Sequence, residues 1–348
     1  MEPALRVEAR GVGLRAGVVA VAFLLVALGV GLAVGPYDLG FGAILRSVLS
    51  YVPGLHVHQP LVGVEHAVLW QIRAPRVTLA ALVGGMLAIA GASYQGVFRN
   101  PLCDPYLLGV AGGAGLGATL AIVYAATSGT TWAVPLASFG GAIAAVVVTY
   151  ALGRSVGATH MTGALVLAGV TMATFTAAVQ QFVQQRHPDQ LRSVYSWLLG
   201  GFSTATWHDV EICAPYIAAS SLVLVLHRRV LDVLSVGDDE AASLGINVAR
   251  ARLTIVVAAT LGTAAAVSVS GLIAFVGIIV PHTIRLLVST SYRAVIPLSL
   301  LAGAGFLVLA DVAARTIVSP AEEPIGVITA FLGAPFFALV LRTSRRTR

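Results

Sequence analysis

Ten apolar stretches divide the chain, near residues 16–35, 75–97, 106–126, 132–152, 164–185, 210–227, 252–270, 272–290, 295–317 and 326–342. A helix needs roughly 20 residues to cross a hydrocarbon core of about 30 Å. The runs are unbroken and lack the short alternating segments of a transmembrane β-barrel. The pattern therefore predicts an all-α polytopic membrane protein of about ten transmembrane helices, with residues 1–348 as a single domain. The longest polar stretches, 36–72, 186–209 and 228–251, read as connectors rather than as a soluble module.

Composition sharpens this. Of 348 residues, 57% are hydrophobic and 10% charged, against roughly 25% charged in soluble domains. A soluble enzyme, a disordered chain and a secreted disulfide scaffold are excluded, and Cys103 and Cys213 suggest no disulfide framework. All 21 basic residues are arginine. A Walker A loop needs lysine on the nucleotide phosphates, so this chain cannot hydrolyse ATP by that route, and Schiff-base chemistry is excluded too. The net charge of +6 reads as a topology signal rather than as a nucleic-acid footprint. With the N-terminus inside and ten spans, 15 arginines fall on the cytoplasmic side. Arg46, Arg73, Arg76, Arg186, Arg192 and Arg315 fall outside. Both termini are then cytoplasmic, with a tail over residues 1–15. The run Ala16–Val34 has 19 residues, longer than the about 7–15 of a signal peptide core, and reads as the first membrane helix. Spans two to five and seven to ten have opposite orientations, which permits an inverted repeat.

Six segments stand out. Arg73-Ala74-Pro75-Arg76 opens the second span, where proline suits a first helical turn. Its arginines fit either interfacial anchoring or a cationic dock for an acidic partner. Next, Asn100-Pro101 is expected to end one helix and Asp104-Pro105 to start another. The glycine-rich run Gly109–Gly117 reads as close helix packing, because no strand precedes it. In the loop Val236–Asn247, Asp238 is expected to cap a short helix and Gly245 to end it; a docking element and a solvated connector both fit. Pro281 is expected to break its span and free a carbonyl that His282 or Arg285 could satisfy, and His282 reads as structural rather than as a metal ligand. Finally, Asp311 and Arg315 share a helix face, either as an intrahelical pair or as an intramembrane functional site. No acidic run suggests a proton relay, and no protease constellation is present.

Taken in order from about Gln71 to Leu341, several of these segments resemble the iron-chelate and vitamin B12 uptake permeases, membrane subunits of a class of bacterial ABC importers. The markers are Arg73-Ala74-Pro75-Arg76, Arg99-Asn100-Pro101-Leu102, Ala241-Ala242-Ser243-Leu244-Gly245, Phe275-Val276-Gly277, Pro281-His282, Ala310-Asp311 with Arg315, and Gly333-Ala334-Pro335-Phe336. The resemblance implies a homodimer of ten-helix subunits with the type II importer fold, in the bacterial inner membrane. It implies two ATP-binding subunits below and a periplasmic or lipid-anchored substrate-binding protein above. The chain itself would then be non-catalytic and hold no cofactor, with ATP and magnesium used by the partner ATPase, and no nucleic acid is expected.

The resemblance also assigns residues. Arg73, Arg76 and Arg315 match outer-face positions that meet glutamates of the binding protein. Asp238, Asp239, Glu240, Ala241, Ala242, Ser243, Leu244, Gly245, Ile246 and Asn247, within a coupling loop of about 229–251, match the helices that enter the ATPase cleft. Met161, Thr162 and Gly163 match the cytoplasmic gate. Three departures stand against the family pattern. Glu323 replaces an apolar residue near Arg315, Leu272 and Ala274 replace a common proline and glycine, and the gate turn keeps only Thr162 of its paired hydroxyls. The expected function is ATP-driven import of a metal chelate: ferric siderophore, haem or cobalamin. An ion-gradient-driven secondary transporter is the alternative.

Overall fold

A computed structural model describes residues 12–51, 57–125, 132–155 and 161–344. Among these residues the chain is all-helical. Helix α1 (Leu14–Ala33) leads to α2 (Phe41–Leu49) and the short α3 (Val64–Ala67). One π-helical turn, Val68–Arg73, runs directly into α4 (Ala74–Phe98). Then follow α5 (Val110–Tyr124), α6 (Ala133–Ser155), α7 (Met161–Arg186), α8 (Leu191–Leu198), α9 (Trp207–Leu226), α10 (Arg228–Val236) and α11 (Asp238–Ser243). The last four are α12 (Val248–Ser270), α13 (Val276–Leu287), α14 (Tyr292–Thr316) and α15 (Ile325–Ser344).

Each apolar stretch coincides with one helix: α1, α4 to α7, α9 and α12 to α15. Seven of these are long and apolar enough to cross a membrane by length and composition, while Val110–Tyr124, Val276–Leu287 and Ile325–Ala338 are shorter. For α5 and α13 the cause is a left-handed backbone at the N-cap. Gly109 has φ +83 and Phe275 has φ +70, so the chain turns there instead of continuing upstream as helix. The stretches 106–126 and 272–290 therefore overshoot their helices. Asp104-Pro105 does not open α5 as expected. It forms a turn in which the Asp104 carboxylate accepts the Tyr106 N–H at 2.8 Å.

Helix α4 is the axis of the bundle. All of its residues except Thr78, Ala81 and Leu82 are buried. It packs against α14, α12, α13 and α9. Such packing needs small residues, because without water between helices only close approach and dispersion hold them. A Cβ on Gly84 would meet the Gly303 carbonyl oxygen, and one on Gly91 would meet that of Gly277. The run Gly109–Gly117 works likewise, with Gly113 and Gly117 set against the backbone of Gly141 and Ala137 on α6. The packing also has an exchange pattern. α4 packs on α14 as α12 packs on α6, α5 on α6 as α13 on α14, and α4 on α13 as α5 on α12. Exchanging spans two to five for seven to ten returns the same set of pairs, as an inverted repeat requires.

The seam between α4 and α14 gives a test. Gly84→Val places branched carbon against the Gly303 carbonyl and is expected to cost about 1–3 kcal/mol or more. Gly140→Ala on α6 meets nothing within 4 Å and should be neutral or slightly stabilising. Thermal unfolding of both variants in the same detergent checks this, and a Gly84→Val protein as stable as Gly140→Ala would contradict the seam.

Candidate functional site

Chemistry gathers at the two ends of α4. At its N-terminal end lie the three arginines assigned to docking. They converge on one cluster, but they are not surface groups: Arg73, Arg76 and Arg315 are 3%, 7% and 4% exposed. Arg73 donates to the carbonyls of Leu32 (2.8 Å) and Ala33 (3.0 Å), and to that of Tyr37. Arg315 donates to the Gly31 carbonyl at 2.7 Å. Gly31, Leu32 and Ala33 form the end of α1, where carbonyls have no intrahelical partner and the helix dipole is negative. Two guanidinium groups therefore cap α1 from outside.

Arg76 does something different. Its Nε and Nη2 donate to Asp311 at 2.8–3.1 Å, and its Nη1 donates to Glu322 at 2.9 Å. Asp311 is fully buried, whereas the Glu322 side chain is 37% exposed. The Nε of Arg315 lies 3.6 Å from Asp311, too far for a hydrogen bond. The intrahelical pair read from the four-residue spacing is thus secondary, and the principal partner of Asp311 is on α4. The acidic residue that reaches the cluster is Glu322, not Glu323.

At the other end, Arg99 takes a left-handed backbone (φ +50) and stops α4. Its side chain donates to the Leu234 carbonyl at 3.0 Å and pairs with Asp238. Arg252 of α12 donates to the same carboxylate at 3.0 and 3.2 Å. Asp238 is therefore not the cap of α11, because Gly237 occupies that position. Asp238 is an ion-pair node that ties α11 to α4 and α12. Gly245 ends the helix as expected: φ is +80, its N–H bonds the Ala242 carbonyl at 2.9 Å, and the Ile246 N–H bonds that of Ala241 at 3.1 Å. Asn247 belongs to the next element, capping α12 through the Arg250 N–H at 3.0 Å. Leu244 is exposed at the loop tip.

Sequence reasoning missed the groups that fasten this end. Pro281 sits inside α13 rather than breaking it. The carbonyl it frees is that of Gly277, four residues earlier, and it accepts from Gln95 of α4 at 3.0 Å instead of from His282 or Arg285. Gln95 also donates to Cys103 O at 3.2 Å and accepts from Arg285 at 2.5 Å. Asp232 of α10 holds the start of α14 through Ser291 and the Tyr292 N–H. The one available signal was a glutamine within a span, which is costly unless bonded. In the connection after α4, burial lifts the Asp104 carboxyl to about 6, and the Tyr106 hydroxyl bridges the N–H and carbonyl of Ile273 at 3.0 Å each. Of the gate residues, Met161 opens α7 and Gly163 has open space around it. The side chains of Met161 and Thr162 lie outside the described residues.

Comparison with known proteins bears on this geometry. The pattern of the FecCD transport family matches residues 22–343. The cobalamin import system permease protein BtuC of Halobacterium salinarum is 42% identical over 271 residues, covering 78% of this chain and 72% of that one. The hemin transport system permease protein HmuU of Yersinia pestis is 37% identical over 285 residues, covering 80% and 85%. A solved inward-facing ABC transporter assigned to the metal-chelate type superposes with a TM-score of 0.80 at 27% identity, covering 94% of this chain and 98% of that one.

The arginine cluster yields a graded expectation. Asp311→Asn leaves Arg76 without its buried counter-charge and should cost about 3–5 kcal/mol. Glu322→Gln loosens a partly exposed pair and should cost about 0–1 kcal/mol. Melting temperatures in detergent distinguish them, and equal losses would mean that Asp311 is not the anchor.

Proposed function

The chain belongs to the FecCD transport family, and from that premise we propose that it is the permease subunit of an ATP-driven importer for a metal chelate, a ferric siderophore, haem or cobalamin. Members are transport components rather than catalysts. The proposed unit is a homodimer of ten-helix subunits in a bacterial inner membrane, with both termini cytoplasmic. Two ATP-binding subunits sit on the cytoplasmic side, and a periplasmic or lipid-anchored binding protein sits outside. ATP and magnesium act in the partner, and this chain holds no cofactor.

The observation that carries the reading is the surface of α7. Through their middle turns, α1, α6 and α9 expose Val18, Val19 and Leu25, Val147 and Val148, and Ala219 and Leu222, as suits lipid. Helix α7 exposes a mixed face, with Leu167, Val170, Phe175 and Phe182 beside Thr171, Thr174, Gln181 and Gln185, and the four polar residues fall on one helical stripe. The two threonines satisfy their hydroxyls on Leu167 O and Val170 O; the glutamine carboxamides sit on the open face. Uncompensated amides facing hydrocarbon are costly. The stripe is explained if α7 borders a water-filled path at the interface with a second copy. The resemblance puts the gate, Met161 to Gly163, in the first turn of the same helix.

The two ends of α4 take complementary roles. The loop Asp238–Asn247 receives motion from the ATPase, and the Asp238 node passes it to α4 and α12. The arginine cluster, about 37 Å away along a 25-residue helix, supports the docking face. Arg76 is the member whose partner, Glu322, is open to solvent, so a carboxylate of the binding protein would enter there, while Arg73 and Arg315 hold the rim. Specificity would rest mainly in the binding protein.

Co-expression with separate ATP-binding subunits tests the reading. The complex should co-purify, and uptake should persist when ion gradients are collapsed but stop when ATP hydrolysis is blocked. The reverse dependence would establish the secondary-transporter alternative. Gly245→Val is the sharper probe. A Cβ added at Gly245 meets nothing within 4 Å, so the substitution strains the stop by about 1–2 kcal/mol without a clash. The variant should insert and dimerise while losing substrate-stimulated ATP hydrolysis and uptake together. Normal uptake would reduce the loop to a connector.

A further inference from the structure

Arg228 and Arg229 at the start of α10 and Arg293 in the first turn of α14 line one cleft of about 480 Å³, together with Val12 and Pro297. Arg228 and Arg293 are half-buried, and Arg229 is exposed. Among the described residues, Arg76, Arg99, Arg252 and Arg315 each have a carboxylate partner. None of the three cleft arginines does. Like charges gathered in a partly desolvated cleft repel one another, and a bound anion removes that repulsion.

The cleft does not end at the charges. A second groove, of about 570 Å³, runs between α1 and α14 and shares Val12 and Pro297 with it. Its walls are wholly apolar, including Leu14, Val18, Leu25 and Leu301. A cationic end joined to an apolar trough is complementary to an amphiphile whose head is anionic. A free phosphate would use the first part and leave the second without purpose.

We propose that the cleft and groove form one binding site for an anionic phospholipid. Its phosphate sits on Arg228, Arg229 and Arg293, and one acyl chain lies between α1 and α14. The topology puts these arginines at the cytoplasmic boundary, where basic pockets between membrane helices meet lipid headgroups. Guanidinium groups suit the task, because they offer forked donors to phosphate oxygens and desolvate more readily than ammonium. The lipid would also fasten α1, which gives only Ala20, Ala27 and Gly31 to the interior.

Native mass spectrometry of the delipidated full-length protein tests this, using phosphatidylglycerol and phosphatidylcholine with identical acyl chains. Phosphatidylglycerol should be retained in preference. Each arginine replaced in the Arg228→Gln, Arg229→Gln, Arg293→Gln series should reduce that preference about fivefold. Gly17→Phe fills the groove, where a Cβ now meets only Val12 at 3.4 Å. It should weaken phosphatidylglycerol binding with every arginine in place, and so tests the site without altering charges that also set topology. Undiminished preference in the triple glutamine variant would overturn the proposal. So would displacement of the lipid by glycerol 3-phosphate combined with no effect of Gly17→Phe, which would mark a site for free anions. The readout is lipid retention, so failure of the import reading would leave it unaffected.

Discussion

A helix buried on nearly every side, with charge at both ends, constrains the rest of this structure. α4 cannot meet water or lipid along most of its length, so four other helices must surround it at close range. That requirement places glycine where neighbouring backbones touch, at Gly84 with Gly303 and at Gly91 with Gly277. It also places demands on the ends. Arg76 enters the bundle with a fixed positive charge, and a fully buried carboxylate, Asp311, meets it. A buried charge without a partner costs far more than a paired one gains. The cluster is thus a condition for burying α4 rather than an ornament of the surface.

The same helix links the ends mechanically. Gln95 fixes α13 to α4 at the carbonyl that Pro281 leaves free, and Asp232 fixes α10 to the start of α14. Asp238 holds both Arg99 and Arg252. A displacement of α11 therefore loads two long helices at once. One of them reaches the arginine cluster, where Arg73 and Arg315 cap the end of α1. Packed helices move as stiff bodies, so if the loop takes the proposed coupling role, a small shift there would be passed along α4.

The legible parts of the sequence were those set by local composition. Hydropathy located a helix in every apolar stretch, because each must be apolar wherever its neighbours lie. The helix stop at Gly245 was legible because left-handed backbone favours glycine. The left-handed turn at Phe275 was not, because nothing in a phenylalanine announces it. It is held by packing, with its ring against the backbone of Gly333. The outer arginines were visible as exceptions to the charge bias. Their burial was invisible, since it depends on Asp311 lying 235 positions from Arg76 and on carbonyls at the end of another helix. Asp238 fails as a cap for the same reason: two distant arginines compete for its carboxylate and prevail.

Surface chemistry then shows where the chain is incomplete by itself. The exposed valine and leucine face of α1 suits acyl chains. The exposed carboxamides of Gln181 and Gln185 do not, and nothing else on α7 covers them. They stand in the last two turns of α7, which ends at Arg186, and suit water or another polypeptide better than acyl chains. In the proposed homodimer, a second copy of the same stripe would supply a facing wall of matching polarity. Threonine and glutamine bond water and many polar ligands without the fixed charge that would trap them. Relatives named for cobalamin and for hemin share 42% and 37% identity with this chain. Under the proposed reading, a wall that bonds widely and weakly suits a family with such varied named cargo better than a wall shaped to one chelate.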